Sequence, residues 1–174
     1  MNYRLMKYNV IVLLSVTFLS TCVVNKAKKS TIIPKPVSME IFLTNPFGYE
    51  PTIKNLKTQL PSYKLQIYTT KNKFNPNLLD SIFRFYHKKN ELFVYKTGSK
   101  RELFVAANIY DVNITLQNGI KVGISRTDFY KCFNDLKQTM NDTIRIVSRH
   151  ARNSYNFIFK QEKLKAIKID NYID

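Results

Sequence analysis

From Glu40 onward the chain states one pattern twice, and this duplication constrains the fold more than any other feature. In the first statement, Phe47-Gly48-Tyr49-Glu50-Pro51-Thr52 leads into Ile53, Leu56 and Leu60, a stripe that predicts a short amphipathic helix. Pro51 suits its first turn, where a missing N–H costs nothing, and Pro61 ends it. Leu65, Ile67 and Thr69 then alternate as a strand, and residues 82–86 and 92–95 predict a hairpin around His87-Lys88-Lys89-Asn90. The second statement starts at Val122-Gly123-Ile124-Ser125-Arg126-Thr127-Asp128. Ser125 is placed to cap a helix while Asp128 reaches back in a capping-box arrangement, its charge favoured at the positive helix end. Phe129, Cys132, Phe133, Leu136 and Met140 share one helical face, and Asn141-Asp142 breaks the helix. Residues 143–149 then predict a strand, and Tyr155, Phe157 and Phe159 alternate into a hairpin that returns through Leu164, Ile167 and Ile169. Gly48 and Gly123 each precede a Thr by four residues, and the same three elements follow each in the same order.

Residues 102–110 and 112–116 read as further strands, with Asn118-Gly119 as a tight-turn signal, and join the halves into one sheet. The expected class is α+β: an antiparallel sheet with two short helices on one face, built as a tandem helix-strand-hairpin repeat. Units at 40–117 and 118–174 are expected to form one continuous body.

The amino end carries a different message. Arg4 and Lys7 precede an uncharged run from Tyr8 to Thr21 that stops at Cys22. The apolar stretch from Val10 to Leu19 is about half the roughly 20 residues needed to cross a bilayer, so it reads as a signal segment and not a permanent span. Leu19-Ser20-Thr21-Cys22 resembles the lipobox of bacterial lipoproteins. That resemblance implies a signal peptide over 1–21, lipid on Cys22, and a body held in the cell envelope, facing the periplasm. Residues 22–39, with Lys26, Lys28, Lys29, Lys35, Pro34 and Pro36 and no acid before Glu40, read as a basic tether. Several lipid chains plus such a segment anchor far more durably than one chain alone.

Removing Arg4 and Lys7 takes the formal charge from +16 to +14. A balance this basic favours anionic partners, whereas the competing reading is a composition simply rich in Lys, Asn and Ile. With lipid on Cys22, Cys132 has no intramolecular partner, which excludes a disulfide framework, and its place in the apolar stripe suits a small buried hydrophobe.

Asn118-Gly119-Ile120-Lys121-Val122-Gly123-Ile124-Ser125-Arg126-Thr127-Asp128-Phe129, with Phe159-Lys160-Gln161-Glu162-Lys163-Leu164-Lys165-Ala166-Ile167 closing the sheet, resembles small envelope lipoproteins of the SmpA/OmlA (BamE-like) type. It is also similar to the β-lactamase-inhibitor-protein fold, which repeats a comparable unit in tandem. The resemblance covers 118–170 and, more thinly, 47–96; the glycine and proline those families often carry after the helix are absent. It implies a scaffold that binds an envelope protein and carries no catalytic residue.

The residues themselves offer no catalytic constellation. His87 and His150 lie 63 positions apart and outside any metal-ligand spacing, so neither a metal nor a cofactor is expected. Ser154, in Arg152-Asn153-Ser154-Tyr155, lacks the surroundings of a nucleophile. Asp128, Asp135 and Asp142 recur every seven residues around the second helix and read as caps and solvated charges, not as an acid–base pair. The one basic cluster is Arg145, Arg149 and Arg152 with Lys160, Lys163, Lys165 and Lys168. Arg145, Arg149 and Lys165 are expected to form a cationic strip beside Tyr155, open to an anionic ligand or partner. Cations interleaved with aromatics suit nucleic acid, but export removes the chain from it. The leading expectation is therefore a lipid-anchored, non-catalytic binding or assembly module. The alternative is a binder of anionic envelope lipid or glycan on the basic strand face.

Overall fold

A computed structural model describes residues 35–148 and 153–171. Three short helices, α1 (Met39–Thr44), α2 (Ile53–Gln59) and α3 (Arg126–Lys131), lie with seven strands: β1 (Lys64–Lys71), β2 (Leu79–His87), β3 (Asn90–Lys96), β4 (Glu102–Ile109), β5 (Thr143–Val147), β6 (Ser154–Lys160) and β7 (Lys163–Asp170). The strands form one antiparallel sheet in the order β1-β2-β3-β4-β7-β6-β5, so the protein is α+β. Each half is a meander preceded by a helix, and β4 against β7 joins them, with Ala107 opposite Ile169 and Ile109 opposite Ile167.

Alternation decides which face is filled. Phe85, Leu92, Val94, Ala107, Ile109, Ile144, Ile146, Tyr155, Phe157, Ile167 and Ile169 all point to the helical side and form one cluster with Phe42, Leu56 and Phe129. Phe42 of α1 meets Phe133, Tyr155 and Phe157, and Phe129 of α3 meets Phe157 and Phe159, ring centres 4.8–6.0 Å apart. Such rings bury the most apolar area per residue, which lets helices this short hold a sheet.

Each helix is fixed at its start by a polar side chain. Thr52 accepts from the Asn55 N–H, and Ser125 accepts from the Asp128 N–H. Two caps come from far along the chain: Asp135 accepts from the Met39 N–H at 2.8 Å, and Glu102 of β4 accepts from the Ile53 N–H at 2.8 Å. A carboxylate there satisfies an orphan donor and meets the positive helix end.

The structure departs from the sequence reading in several places. The second helix stops at Lys131 and does not run on to Met140. Its continuation is diverted by tertiary bonds. The Asn134 N–H donates to the Val37 carbonyl, while the Tyr130 hydroxyl donates to the Thr139 carbonyl and accepts from the Thr139 N–H. Met140 is consequently 84% exposed and lies outside the core. Asp135 and Asp142 stand on no helix, so the seven-residue spacing of the three aspartates has no helical meaning. Residues 112–116 are not a strand. Only Thr115 bridges Lys121, around Asn118 (φ 59°) and Gly119 (φ 76°), the two left-handed residues that a tight turn of this kind requires. Pro51 precedes the cap Thr52 and does not sit in the first turn. Gly48 and Gly123 are both left-handed, but the cap lies four residues after Gly48 and two after Gly123, so their matching threonines are not equivalent. Val37, at the end of the expected tether, pairs with Phe133 in the body.

Candidate functional site

Helices cover one face of the sheet; the other is bare among the described residues. Its outward positions form rows across the strands. One row runs Arg145, Asn156, Lys168, Asn108, Glu91, Tyr86, Lys64, and the next Val147, Ser154, Asp170, Ala106, Phe93, Arg84, Gln66. A third row, Leu103, Tyr95, Ile82 and Tyr68, crosses β4 to β1 only.

The two halves of this face differ in chemistry. Over β1–β4 it is aromatic and aliphatic, with Tyr68 46% exposed, Ile82 at the margin of exposure, and Phe93, Tyr95 and Leu103 half-buried. Arg84 lies at the centre. Its guanidinium stacks 4.8 Å from the Tyr86 ring and donates to Glu91 and, at 3.0 Å, to the Gln66 amide oxygen. Tyr, Arg and aliphatic side chains on a rigid surface are the composition of protein-binding hot spots. Over β5–β7 the face is polar, and Arg145 and Lys168 stand exposed two strands apart, about 10 Å.

Of the expected cationic strip, Arg145 is exposed as predicted. Lys165 is exposed too, but a register shift between Ile158 and Phe159 leaves it unpaired in the ladder, out of line with Arg145; Lys168 takes the matching position. Tyr155 does not flank the strip: it is buried on the opposite, helical face, where burial pushes its hydroxyl up to about 12. Cys22, Arg149, Arg152 and His150 lie outside the described residues.

The other singled-out residues have structural roles. Cys132 caps the end of α3, is buried, and has its thiol pushed up to about 11 by desolvation, with the Asp128 charge adding to the rise. Its Sγ lies 3.3 Å from the Asp128 carbonyl. Asp128 accepts from the Ser125 hydroxyl at 2.7 Å and pairs with Lys131, which together hold its carboxyl below the usual range. The Ser125 hydroxyl, and not its backbone N–H, is therefore what Asp128 reaches back to. His87 packs 5.5 Å from the Tyr63 ring, and Ser154 is buried at the start of β6. Among the described residues no three His, Cys, Asp or Glu side chains are grouped to hold a metal ion.

Two features escaped the sequence reading. Arg126, 6% exposed, donates to Glu162 Oε1 at 3.0 Å and to the Thr139 and Asn141 carbonyls, and stacks on Phe159 at 4.7 Å. It forms one wall of an open cleft of ≈ 250 Å³ shared with Tyr130, Gln138 and Thr139, but its donors are already engaged. The second is Asp80, 2% exposed, which accepts from the Tyr95 hydroxyl, Asn72 Nδ2 (2.8 Å) and the Gly98 N–H (2.8 Å). Neither carries a local sequence signal, because each gathers partners from loops far apart in the chain. No helix among the described residues is long and apolar enough to cross a membrane. Compared with known proteins, the chain matches no family model, no curated protein and no solved structure.

Proposed function

We propose that this is a lipid-anchored cell-envelope protein whose α+β body serves as a non-catalytic protein-binding or assembly module, held to the membrane through Cys22. The observation that carries the binding reading is the bare sheet face over β1–β4, where Tyr68, Ile82, Tyr95 and Leu103 form a row beside that of Arg84, the partner of Glu91. An apolar surface of this breadth on a stiff sheet loses little entropy on docking and gains from desolvation. A photo-crosslinking side chain at position 82, used in intact cells, is expected to capture one discrete envelope protein, and Tyr68→Ala with Arg84→Ala is expected to abolish that adduct. No adduct above that from a crosslinker at Lys57, on the exposed side of α2, would overturn the reading.

Arg145 and Lys168 support a second reading, binding of anionic lipid or glycan on the β5–β7 half of the face, since among the described residues neither is in an ion pair. Affinity for a phosphate-bearing glycan that falls steeply with salt and with Arg145→Ala is the expected result. Affinity indifferent to both contradicts it.

A further inference from the structure

One end of the sheet is built differently from the rest. There the β1–β2 loop (72–78) and the β3–β4 turn (97–101) lie side by side, tied by the buried Asp80 carboxylate, which bonds Asn72 in one and the Gly98 N–H in the other. The loop is ordered by its own bonds. Asn72 Oδ1 accepts from the Phe74 and Asn75 N–H groups, the Asn72 N–H donates to the Leu78 carbonyl at 2.9 Å, and the Leu78 N–H donates to the Asn75 carbonyl. Gly98 allows the close approach: a Cβ there would stand 2.5 Å from that of Leu78.

What this frame presents is apolar. Phe74 is 83% exposed and Leu79 61%, with Leu78 beside them. They stay bare because α2 starts against β4 at Glu102 and ends beside the entry to β1, leaving this corner past the helical layer. Four exposed cations lie in or next to these two segments, Lys71, Lys73, Lys100 and Arg101, and neither segment contains an acidic residue. Among the described residues none of the four is in an ion pair; Lys73 lies over the Phe74 ring at 5.6 Å.

From this geometry we infer that the 72–78 loop, with Leu79 at the start of β2, and the 97–101 turn form a membrane-docking tip, which inserts Phe74, Leu78 and Leu79 among the headgroups of an anionic bilayer while the four cations meet lipid phosphates. An exposed apolar tip with four exposed cations in or next to the same two segments matches a charged interface, which takes up aromatic and aliphatic groups to shallow depth and holds lysines by charge. A site for a protein would need a counter-pocket; a bilayer needs only the tip. The inference concerns a surface separate from the bare sheet face and does not depend on lipid at Cys22.

The chain contains no tryptophan, so Phe74→Trp places a single reporter at the tip. Phe74→Trp protein of residues 22–174 carrying Cys22→Ala, and so with neither the apolar 1–21 segment nor a lipid anchor, is mixed with vesicles of phosphatidylcholine containing a minority of phosphatidylserine, some with brominated acyl chains. The expected result is a blue shift of emission and quenching by bromine. Lys71→Ala and Lys73→Ala should each weaken partition about five-fold. Phe74→Ser, followed by co-sedimentation in the same background, should weaken it at least about ten-fold. Emission that stays solvent-like while the protein sediments with vesicles overturns the proposal, since attachment is then elsewhere. Equal binding to pure phosphatidylcholine, or a shift seen only when envelope protein is added, overturns it as well. Loss of metabolic lipidation alone bears on the anchor and leaves this result untouched.

Discussion

Arg126 and Asp80 show how a few polar side chains organise an otherwise aromatic core. Arg126 closes the β6–β7 hairpin onto α3, because its backbone N–H donates to the Glu162 carbonyl while its guanidinium engages the Glu162 carboxylate and two loop carbonyls. Arg126→Ala would leave the Asn141 carbonyl without that donor and strip the Phe159 ring of its partner, a cost of about 2–4 kcal/mol. Urea denaturation checks the figure; Glu162→Gln, at an exposed carboxylate, should cost below about 1 kcal/mol. Asp80 gives a pH signature. The hydrogen bond from Tyr95 acts most strongly on its carboxyl; burial opposes it, the weaker Gly98 and Asn72 bonds add to it, and the carboxyl is held below the ordinary carboxylate range. A depressed folded-state value means that this group's stabilisation is fully present above the unfolded value and is lost as pH falls through the folded one. The Gly98 amide resonance should therefore titrate with a midpoint below that of an ordinary aspartate, and lose that step in Asp80→Asn. A midpoint at or above that value contradicts the network. Period-two patterning placed Tyr155, Phe157 and Phe159 in a hairpin returning through Ile167 and Ile169, all of which are buried, although Tyr155 was expected beside the cationic strip; it cannot reveal a buried Arg or Asp whose partners lie 8 to 36 residues away.

At the scale of elements, caps and turns were the most legible features. Ser125 and Asn118-Gly119 act through bonds within a few residues, so the chain announces them locally, whereas Thr52, which caps α2 just as locally, was passed over for Pro51. Helix α1 was passed over although Ser38 caps it, because its acceptor for the Met39 N–H is Asp135. Overestimating α3 has the same origin: the stripe to Met140 fits a helix, but Val37 and Tyr130 claim the backbone beyond Cys132. Helix α2 yields a direct test of capping at a distance. Glu102→Ala removes the acceptor for the Ile53 N–H and the partner of Lys96, and should cost about 1–2 kcal/mol by denaturant titration. Glu102→Gln, which keeps an acceptor, should cost clearly less. Equal losses would mean that charge and not the bond sustains the helix start.

Across the molecule, the α+β class, the helix-strand-hairpin order in each half and the strand at 102–110 that joins the halves were readable, whereas the pairing of that strand with β7 and the strip on the β5–β7 face were not. Register decides which side chains line up. The irregularity between Ile158 and Phe159 removes Lys165 from the row it was expected to join and substitutes Lys168. Among the described residues the sheet is filled on one face and bare on the other, and these exposed surfaces are what the proposed binding roles rest on. The reading of that organisation turns on where the chain is held. Metabolic labelling with an alkyne fatty acid, followed by mass spectrometry of the amino end, tests it most directly. The account predicts acylated Cys22 as the first residue and no label in Cys22→Ala. An intact, unmodified Met1 on protein recovered from the soluble fraction would contradict it.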